Sequence, residues 1–444
     1  MKGRQAGVQH ELKPSQILRR DGRLVAFDRE KIEFAVLQAG VAVGERNREV
    51  AVAVTDDVLA KLDHGIPTVE EVQDLVEKAL IMYGHANIAK AYIIYRYEHA
   101  LKRESRPSLA YSYNNIPYKK LWEALAWSTE LRCAAVSDLQ LIERPEDLIA
   151  ASDEFYQEEV RVAVEKVDDT IDLVVVAGPS ASGKTTTSMV IADQITETGR
   201  PVLRLEGDNY FFDIDKHPRD RRGDYDYETP QALDIERLVL DLQKLLAGES
   251  VMLRCYDFKA GKSGEMMGPV NLEKGSVVVL DSLHGLNKQI AQAIDTDRCL
   301  GIYVETLAQQ RDESGRFLRW TDLRLLRRMV RDARSRNHGV RDTLMHWHFV
   351  RRSELRYIIS RLSAADAIVN SYLPYELPFL KRSLGHRLAE LDADIESDTD
   401  AEDARDRLKR VMAVISEVPD DWDEQILPAD SLLREFVGGS SRSY

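Results

Sequence analysis

The chain of 444 residues has few cysteines, no long apolar run and no excess of basic residues. Its three cysteines, Cys133, Cys255 and Cys299, are widely spaced, which argues against a disulfide framework and a zinc site. No stretch approaches the roughly 18 apolar residues that a membrane span requires, and the polar N-terminus lacks the apolar centre of a signal peptide. The net charge of −14 disfavours nucleic acid and anionic membranes as partners. We therefore expect a cytoplasmic protein that binds neither nucleic acid nor a membrane.

The composition is that of a globular protein long enough for two or three domains, with 44% hydrophobic and 31% charged residues. Two strand-like runs flank the Asp21-Gly22 turn, and helical stretches follow from about Asp28. The stretch 390–403 holds eight acidic residues, which is typical of a solvated linker or an exposed helix end. Changes of pattern divide the chain into a mainly helical unit, a helical connector, an α/β unit and an acidic C-terminal segment. Their predicted ranges are 16–104, 105–168, 169–386 and 387–444.

Short apolar runs rich in β-branched residues alternate with helical stretches after residue 172. Such runs indicate strands that are buried on both faces, so the pattern predicts an α/β fold with a parallel sheet covered by helices. The predicted strands are LVVVA (173–177), VLRL (202–205), VMLRC (251–255), VVVLD (277–281), GIYVE (301–305) and AIVN (367–370).

A glycine-rich segment, GPSASGKT, follows the first of these strands and precedes a predicted helix. Its two glycines let backbone N–H groups converge on phosphate oxygens, and the helix N-terminus adds a positive dipole. Lys184 supplies a full charge near the β- and γ-phosphates, and the Thr185 hydroxyl is suited to Mg²⁺. The segment therefore predicts a P-loop NTPase-type fold that binds ATP or GTP. The predicted nucleotide-binding residues are Gly178, Pro179, Ser180, Ala181, Ser182, Gly183, Lys184, Thr185 and Thr186.

An aspartate, Asp208, comes at the carboxyl end of the second predicted strand, within EGDNYF. In open parallel sheets this edge faces the ligand crevice. A carboxylate there is suited to accept a proton from a hydroxyl that attacks the γ-phosphate. The alternative is an aspartate that caps a helix or forms a turn.

Residues 316–352 contain eleven arginines, three aspartates and no lysine, in a chain that is acidic overall. A nucleic-acid-binding helix usually mixes lysine with arginine and belongs to a basic domain, which does not fit this chain. A solvated helical face remains open for the outer arginines. Several others recur on adjacent helical turns.

Five segments occur in an order that resembles the uridine kinase and phosphoribulokinase family of small-molecule kinases, in its longer bacterial branch. The resemblance spans roughly 170–385 and implies transfer of phosphate from ATP, with Mg²⁺, to a hydroxyl of a nucleoside. The five segments are GPSASGKT (178–185), EGDNYF (206–211), DYDYETPQALD (224–234), CYDFKAGKS (255–263) and DLRLLRRMVRDARSR (322–336). The longer branch is indicated by three later segments, VRRSELRYI (350–358), NSYLPYELPFLK (370–381) and LPADSLLREFVGG (427–439).

The resemblance implies catalytic roles for five residues. Asp208 matches the family's catalytic base, and Lys184 would neutralise charge on the phosphates. The arginine-rich segment matches a lid that closes over the phosphates, through Arg328, Arg331 and Arg336.

The resemblance also implies substrate and metal contacts. Glu228 stands where nucleoside kinases usually have an aspartate that bonds the ribose hydroxyls. Tyr256 and Phe258 match a segment that lines the nucleobase pocket. The alternative is that they are ordinary aromatic residues of the core, which would give the same pattern after a strand. Gly261 replaces a base-contacting histidine of uridine-cytidine kinases, and Asp281 replaces a glutamate that would act with Thr185 at the metal.

Residues 16–102 resemble the ATP-cone, a nucleotide-sensing module. The matching segments are LRRDGRLVAFDREKI (18–32), PTVEEVQDLVEKAL (67–80) and NIAKAYIIYR (87–96). The resemblance implies a regulatory site for ATP or dATP that favours one conformation or oligomer, and we expect a homo-oligomer. A helical dimerisation domain with incidental charge is the alternative. The basic residues suited to this site are Arg19, Arg20, Lys31, Lys90 and Arg96.

The sequence thus predicts an ATP- and Mg²⁺-dependent nucleoside kinase of the uridine kinase type, regulated by ATP or dATP at its N-terminal unit. Two alternatives stay open. One is a kinase of another small hydroxyl compound such as a sugar phosphate, and the other is a nucleotide-sensing regulatory protein without turnover.

Overall fold

A computed structural model describes residues 14, 16–18, 24–45, 47–62, 67–93, 117–219, 225–258, 260–264, 266–287, 289–290, 296–336, 338–385, 387–396 and 401–443. The chain divides into two compact units, Met1–Tyr111 and Ser112–Tyr444. Each unit has a hydrophobic core of its own.

The first unit begins with an antiparallel strand pair and continues as helices. Residues 86–93 are also helical. A reciprocal hydrogen-bond pair between Thr68 and Glu71 caps the third helix, because the two groups satisfy each other's N-terminal N–H groups. The described elements are β1 (Gln16–Leu18), β2 (Leu24–Ala26), α1 (Arg29–Ala42), α2 (Arg48–Lys61) and α3 (Val69–Met82).

The described part of the second unit is built on a parallel five-stranded sheet, which confirms the predicted α/β class. The side chains of the central strand alternate between two hydrophobic clusters, so both faces of the sheet are covered. In order across the sheet, the strands are β11 (Ala367–Asn370), β10 (Cys299–Glu305), β3 (Leu173–Ala177), β9 (Val277–Asp281) and β4 (Val202–Glu206).

The predicted strand at 251–255 lies outside this sheet. Residues Val251–Leu253 form β5, which pairs antiparallel with β8 (Met267–Val270), and β6 (Tyr256–Asp257) pairs with β7 (Lys262–Ser263). Val251 and Leu253 are buried while Met252 is exposed, which is the alternation of a half-exposed ribbon. An unbroken apolar run conceals that alternation in the sequence.

Helices of the second unit surround the sheet, including helices before and after the region of the resemblance. Buried side chains from both flanks join one large core, for example Tyr156, Leu408 and Phe436. The helices are α4 (Tyr118–Glu130), α5 (Pro145–Val164), α6 (Lys184–Glu197), α7 (Ile235–Leu246), α8 (Trp320–Arg331), α9 (Val340–Ser353), α10 (Glu376–Leu384), α11 (Arg387–Glu396), α12 (Glu402–Ser416) and α13 (Arg434–Val437).

Candidate active site

The glycine-rich loop joins β3 to α6 in a conformation that requires its glycines. Gly178 has φ +154°, and a Cβ there would lie 2.2 Å from the carbonyl oxygen of Val304. Gly183 has φ +85° and is the N-cap of α6, so the helix begins at Lys184. The loop therefore presents its backbone to the space at the carboxyl edge of the sheet.

The side chains at the start of α6 meet the end of β9. Lys184 Nζ donates a hydrogen bond to the Pro179 carbonyl at 3.0 Å. Thr185 Oγ1 donates to Asp281 Oδ2 at 2.8 Å. Sheet register explains the second contact, since Val176 of β3 pairs with Asp281 of β9. The structure thus brings together the two residues predicted at the metal.

Asp281 is partly buried at the end of β9, and its electrostatic surroundings are mixed. The pKa of the Asp281 carboxyl is raised to about 7, mainly by burial; Lys184 and the Thr185 hydroxyl act to lower it, while Asp208 and Glu435 act with burial to raise it. The ionised form of Asp281 therefore carries a free-energy cost in the folded protein above neutral pH.

Replacing Asp281 with Asn is expected to stabilise the metal-free protein at alkaline pH. The pKa is raised in the folded state, so stability falls as pH rises from the unfolded value near 3.8 through about 7. The free energy of unfolding of Asp281→Asn, relative to wild type, should be higher at pH 8 than at pH 5 by roughly 2–4 kcal/mol. Thermal unfolding in a chelator at both pH values measures this. Asp421→Asn, at an exposed position, is the control, and an equal gain at both pH values would contradict the expectation.

Asp208 lies on a short turn, Gly207–Tyr210, directly after β4. Glu206 pairs with Asp281 in the sheet, so this turn begins level with the end of β9. A Cβ at Gly207 would lie 2.5 Å from the Ser282 hydroxyl, so glycine permits the close approach. Asp208, Lys184 and Asp281 line one cavity of about 950 Å³.

The predicted lid arginines converge on one carboxylate, Asp332. Arg328 Nε donates to Asp332 Oδ2 at 3.0 Å, Arg331 Nη2 donates to Oδ1 at 2.9 Å, and Arg336 Nε lies 3.9 Å from Oδ1. Burial alone raises the pKa of Asp332, but these guanidinium groups outweigh it and hold the pKa well below its usual range. Repulsion by Arg331, with burial, lowers the pKa of Arg336 to about 10, so Arg336 remains charged at neutral pH.

Two other arginines of α8 form ion pairs with carboxylates in the protein core. Arg324 is 1% exposed, forms an ion pair with Glu354 and lies 2.9 Å from Glu305. Arg327 is fully buried and forms an ion pair with Glu376. The arginine-rich segment therefore combines groups that face the cavity with groups that hold the helix in the core.

Glu228 lines the cavity and forms an ion pair with Arg328, which also donates to Ser180 Oγ at 3.0 Å. Burial raises the pKa of Glu228, but the Arg328 charge and hydrogen bond outweigh it, so the net shift is downward. The Glu228 backbone carbonyl accepts from buried His284 Nε2 at 2.9 Å. The glutamate is therefore anchored through both its side chain and its backbone.

Tyr256 and Phe258 form an aromatic wall of the same cavity. Their ring centroids are 5.1 Å apart in an edge-to-face arrangement, and Phe211 packs 5.6 Å from Tyr256. Phe258 is 45% exposed, and the Arg336 guanidinium lies 5.0 Å from its ring centroid. Side chains that sequence reasoning missed also line the cavity; they are Phe211, His217, Tyr227, His338, His346 and Glu435.

The residues predicted at the regulatory site are only partly described. Lys31 is exposed and its Nζ lies 3.5 Å from Asp28 Oδ2, and Lys90 is also exposed. Arg19, Arg20 and Arg96 lie outside the described residues. Among the helices that the structure describes, none has the length and apolar character needed to cross a membrane.

Comparison with known proteins matches both units. The family model "Phosphoribulokinase / Uridine kinase family" matches residues 173–376, and the "ATP cone domain" model matches residues 15–101. A uridine kinase of Bacillus mycoides is 30% identical over 196 residues, which cover 44% of this chain and 82% of that protein.

Other relatives are more distant or longer. "Uridine kinase-like protein 5" of Arabidopsis thaliana is 30% identical over 195 residues, or 44% of this chain, and the chain spans only 38% of that protein. The solved structure of a "Possible Uridine Kinase" from Bacillus stearothermophilus is 18% identical, with a TM-score of 0.29, covering 34% of this chain and 79% of that one. The chain belongs to the phosphoribulokinase and uridine kinase family, carries an ATP-cone domain, and is an ATP-dependent kinase.

Proposed function

We propose that the protein transfers the γ-phosphoryl group of ATP to a hydroxyl of a nucleoside. One observation carries the proposal: a single cavity of about 950 Å³ is lined by the phosphate-loop lysine, Asp208, the lid arginines and an aromatic wall. A cavity of this size accommodates a second small molecule beside a polyphosphate. The aromatic wall, formed by Tyr256 and Phe258, suits a flat base.

In this proposal Asp208 orients the acceptor hydroxyl and takes its proton as the oxygen attacks the γ-phosphorus. The bond from the γ-phosphorus to the β,γ-bridging oxygen breaks, and ADP leaves. Lys184, Arg328, Arg331 and Arg336 offset the negative charge on the phosphoryl oxygens. Most of the acceleration comes from positioning and fixed charge, because phosphoryl transfer needs little covalent help from a protein. Asp332 acts through the arginines by holding their guanidinium groups together.

The residues at the end of β9 and the start of α6 suit Mg²⁺. The Thr185 hydroxyl and the Asp281 carboxylate are oxygen donors 2.8 Å apart, and Mg²⁺ prefers oxygen ligands. A bound Mg²⁺ supplies positive charge to the phosphates. Thr185 and Asp281 would hold it, and deprotonation of Asp281 near pH 7 would favour its binding.

We assign the nucleoside sugar to the neighbourhood of Glu228. Its carboxylate is buried and oriented by Arg328, so it offers a fixed acceptor for ribose hydroxyls next to the phosphate site. Gly261 adopts φ +64° on the turn between β6 and β7, where a histidine side chain would meet Ile214. The chain therefore needs other groups to select the base, and His217, Tyr227 and His346 line the cavity beside the aromatic wall.

We further propose that residues 16–104 sense ATP or dATP and regulate a kinase domain at 169–386, by shifting conformation or subunit association. Exposed Lys31 and Lys90 supply positive charge for a triphosphate in that unit. The segments 105–168 and 387–444 flank the kinase domain, and their helices contribute buried side chains to its core.

The acceptor is tested by incubating the full chain with Mg-ATP and a panel of nucleosides and sugar phosphates. We expect phosphorylated nucleoside as the main product, identified by mass spectrometry. A sugar phosphate as the only acceptor would replace the proposed substrate, and no product from any acceptor would favour a regulatory protein. Adding dATP to the productive reaction should change its rate, and an unaltered rate would contradict the proposed sensing by the N-terminal unit.

A further inference from the structure

The segment 428–441, here called the C-terminal strap, lies outside the region that matches the kinase family, which ends at residue 376. It is nevertheless fixed in the core. Leu432, Leu433 and Phe436 are at most 1% exposed, and the Ser431 hydroxyl lies 2.7 Å from the Tyr375 hydroxyl. The strap therefore occupies one defined position against the kinase fold.

One strap residue, Glu435, bonds to the phosphate loop's helix. Its Oε2 accepts from the Thr186 backbone N–H at 3.1 Å and from Thr186 Oγ1 at 2.6 Å. Thr186 is the third residue of α6, so its N–H belongs to the first helical turn, whose donors have no partner within the helix. Glu435 is 7% exposed and lines the cavity. The Glu435 carboxylate thus occupies a backbone N–H group of the kind that donates to phosphate oxygens in such loops.

The strap contacts the loop and the arginine-rich segment at further points. A Cβ at Gly183 would lie 3.0 Å from the Leu432 side chain, so the strap packs directly against the loop backbone. Arg334 Nε donates to the Phe436 carbonyl and Arg334 Nη2 to the Glu435 carbonyl, both at 3.2 Å. The backbone that follows the Glu435 side chain is held by the segment that carries the lid arginines.

The charge of Glu435 opposes the charge of the groups around it. The loop, Lys184 and the arginines create a positive field for phosphates, whereas Glu435 adds a negative charge that also raises the pKa of Asp281. A buried carboxylate near the phosphates of a nucleotide repels them strongly, because little solvent screens the pair.

We propose that Glu435 sets the nucleotide affinity of the site by competing, as an internal anion, with the phosphates for the first turn of α6. This inference rests on the proposed phosphate site and adds a residue from outside the part of the chain that the family model matches. It assigns to the strap a limit on how tightly ATP and ADP bind, which favours exchange of nucleotide during turnover.

A purely structural role for Glu435 predicts a different outcome. If the carboxylate only caps α6, Gln at this position would keep an acceptor oxygen for Thr186 and leave nucleotide binding unchanged. Because Gln removes the charge and keeps the shape, Glu435→Gln separates the two roles.

The experiment compares the dissociation constants of ATP for the full-length wild type, Glu435→Gln and Asp430→Asn by calorimetry. Asp430 is an exposed acidic residue of the same strap, so its variant controls for loss of one negative charge. We expect Glu435→Gln to bind ATP about 5- to 50-fold more tightly than wild type, with a lower KM for ATP. The difference in affinity between the variant and the wild type should become smaller at high salt. Asp430→Asn should stay within about twofold of wild type.

Equal or weaker binding by Glu435→Gln, with wild-type binding intact, would overturn the inference and leave the proposed function in place. Absence of ATP binding by the wild type would overturn the phosphate site and the inference with it. Should Glu435→Gln fail to fold by circular dichroism, Glu435→Ala takes its place. Tighter binding by the alanine variant supports competition, and weaker or equal binding contradicts it.

Discussion

Asp208→Asn is expected to lower kcat by about 10²–10⁴-fold, the usual range for a lost general base. Asn keeps the size of the side chain and removes the group that accepts the proton of the acceptor hydroxyl. Asp208 follows β4 at the edge where the phosphate loop and Asp281 meet, so its carboxylate is placed to act on a hydroxyl beside the γ-phosphate.

The measurement is steady-state kinetics of the variant with saturating Mg-ATP and the acceptor identified in the panel. The loss should fall on kcat, while the dissociation constant of ATP stays close to wild type or improves, since one negative charge leaves the cavity. Asp215→Asn is the matched control, because Asp215 is an exposed carboxylate on the same segment. A decrease of less than about threefold in kcat for Asp208→Asn would exclude it as the base.

The sheet and the phosphate loop could be predicted because their signals are local. Leu173–Ala177 forms a buried strand, and two glycines at fixed spacing adopt conformations that other residues reach only with strain. Parallel register then places the ends of β3, β4 and β9 at one edge, which is why separate motifs around Lys184, Asp208 and Asp281 meet.

The arginine-rich segment was only partly interpretable from sequence. Helical spacing groups Arg324 with Arg328, but it does not reveal which carboxylates face each guanidinium from other elements. Arg324 pairs with Glu354 in the core, whereas Arg328 reaches Glu228 at the cavity. Distinguishing a phosphate-binding arginine from a buried structural one requires the partners, which lie far away along the chain.

The segment LPADSLLREFVGG (427–439) was part of the resemblance, but the contact of Glu435 with the phosphate loop's helix was missed for a similar reason. Glu435 is a single glutamate in a short C-terminal helix, with no spacing that relates it to Thr186, which lies 249 positions earlier. The buried Leu432 and Leu433, in the turn that precedes this helix, indicate packing but do not reveal the partner of Glu435. Contacts between distant segments of this kind depend on tertiary structure and leave no local pattern.

Lys184→Ala is expected to reduce phosphoryl transfer by about 10³-fold or more, through loss of transition-state stabilisation. The ammonium group is the full positive charge that the loop itself supplies, and in a cavity with limited solvent its interaction with phosphate is much stronger than in water. Lys184 Nζ donates a hydrogen bond to the Pro179 carbonyl, so the ammonium group lies within the loop that we propose to bind the phosphates.

The fold should survive this change, so the melting temperature separates a catalytic loss from unfolding. Lys216→Ala controls for loss of one lysine, because Lys216 is exposed on a turn near the cavity. Lys184→Arg should remain strongly impaired although its charge is kept, since the planar guanidinium does not reproduce the compact ammonium inside the loop. Turnover by Lys184→Ala within about tenfold of wild type would remove the loop lysine from the mechanism. Without that lysine, the lid arginines would have to supply the charge through their cluster on Asp332, and Asp332→Asn should then become the more damaging substitution.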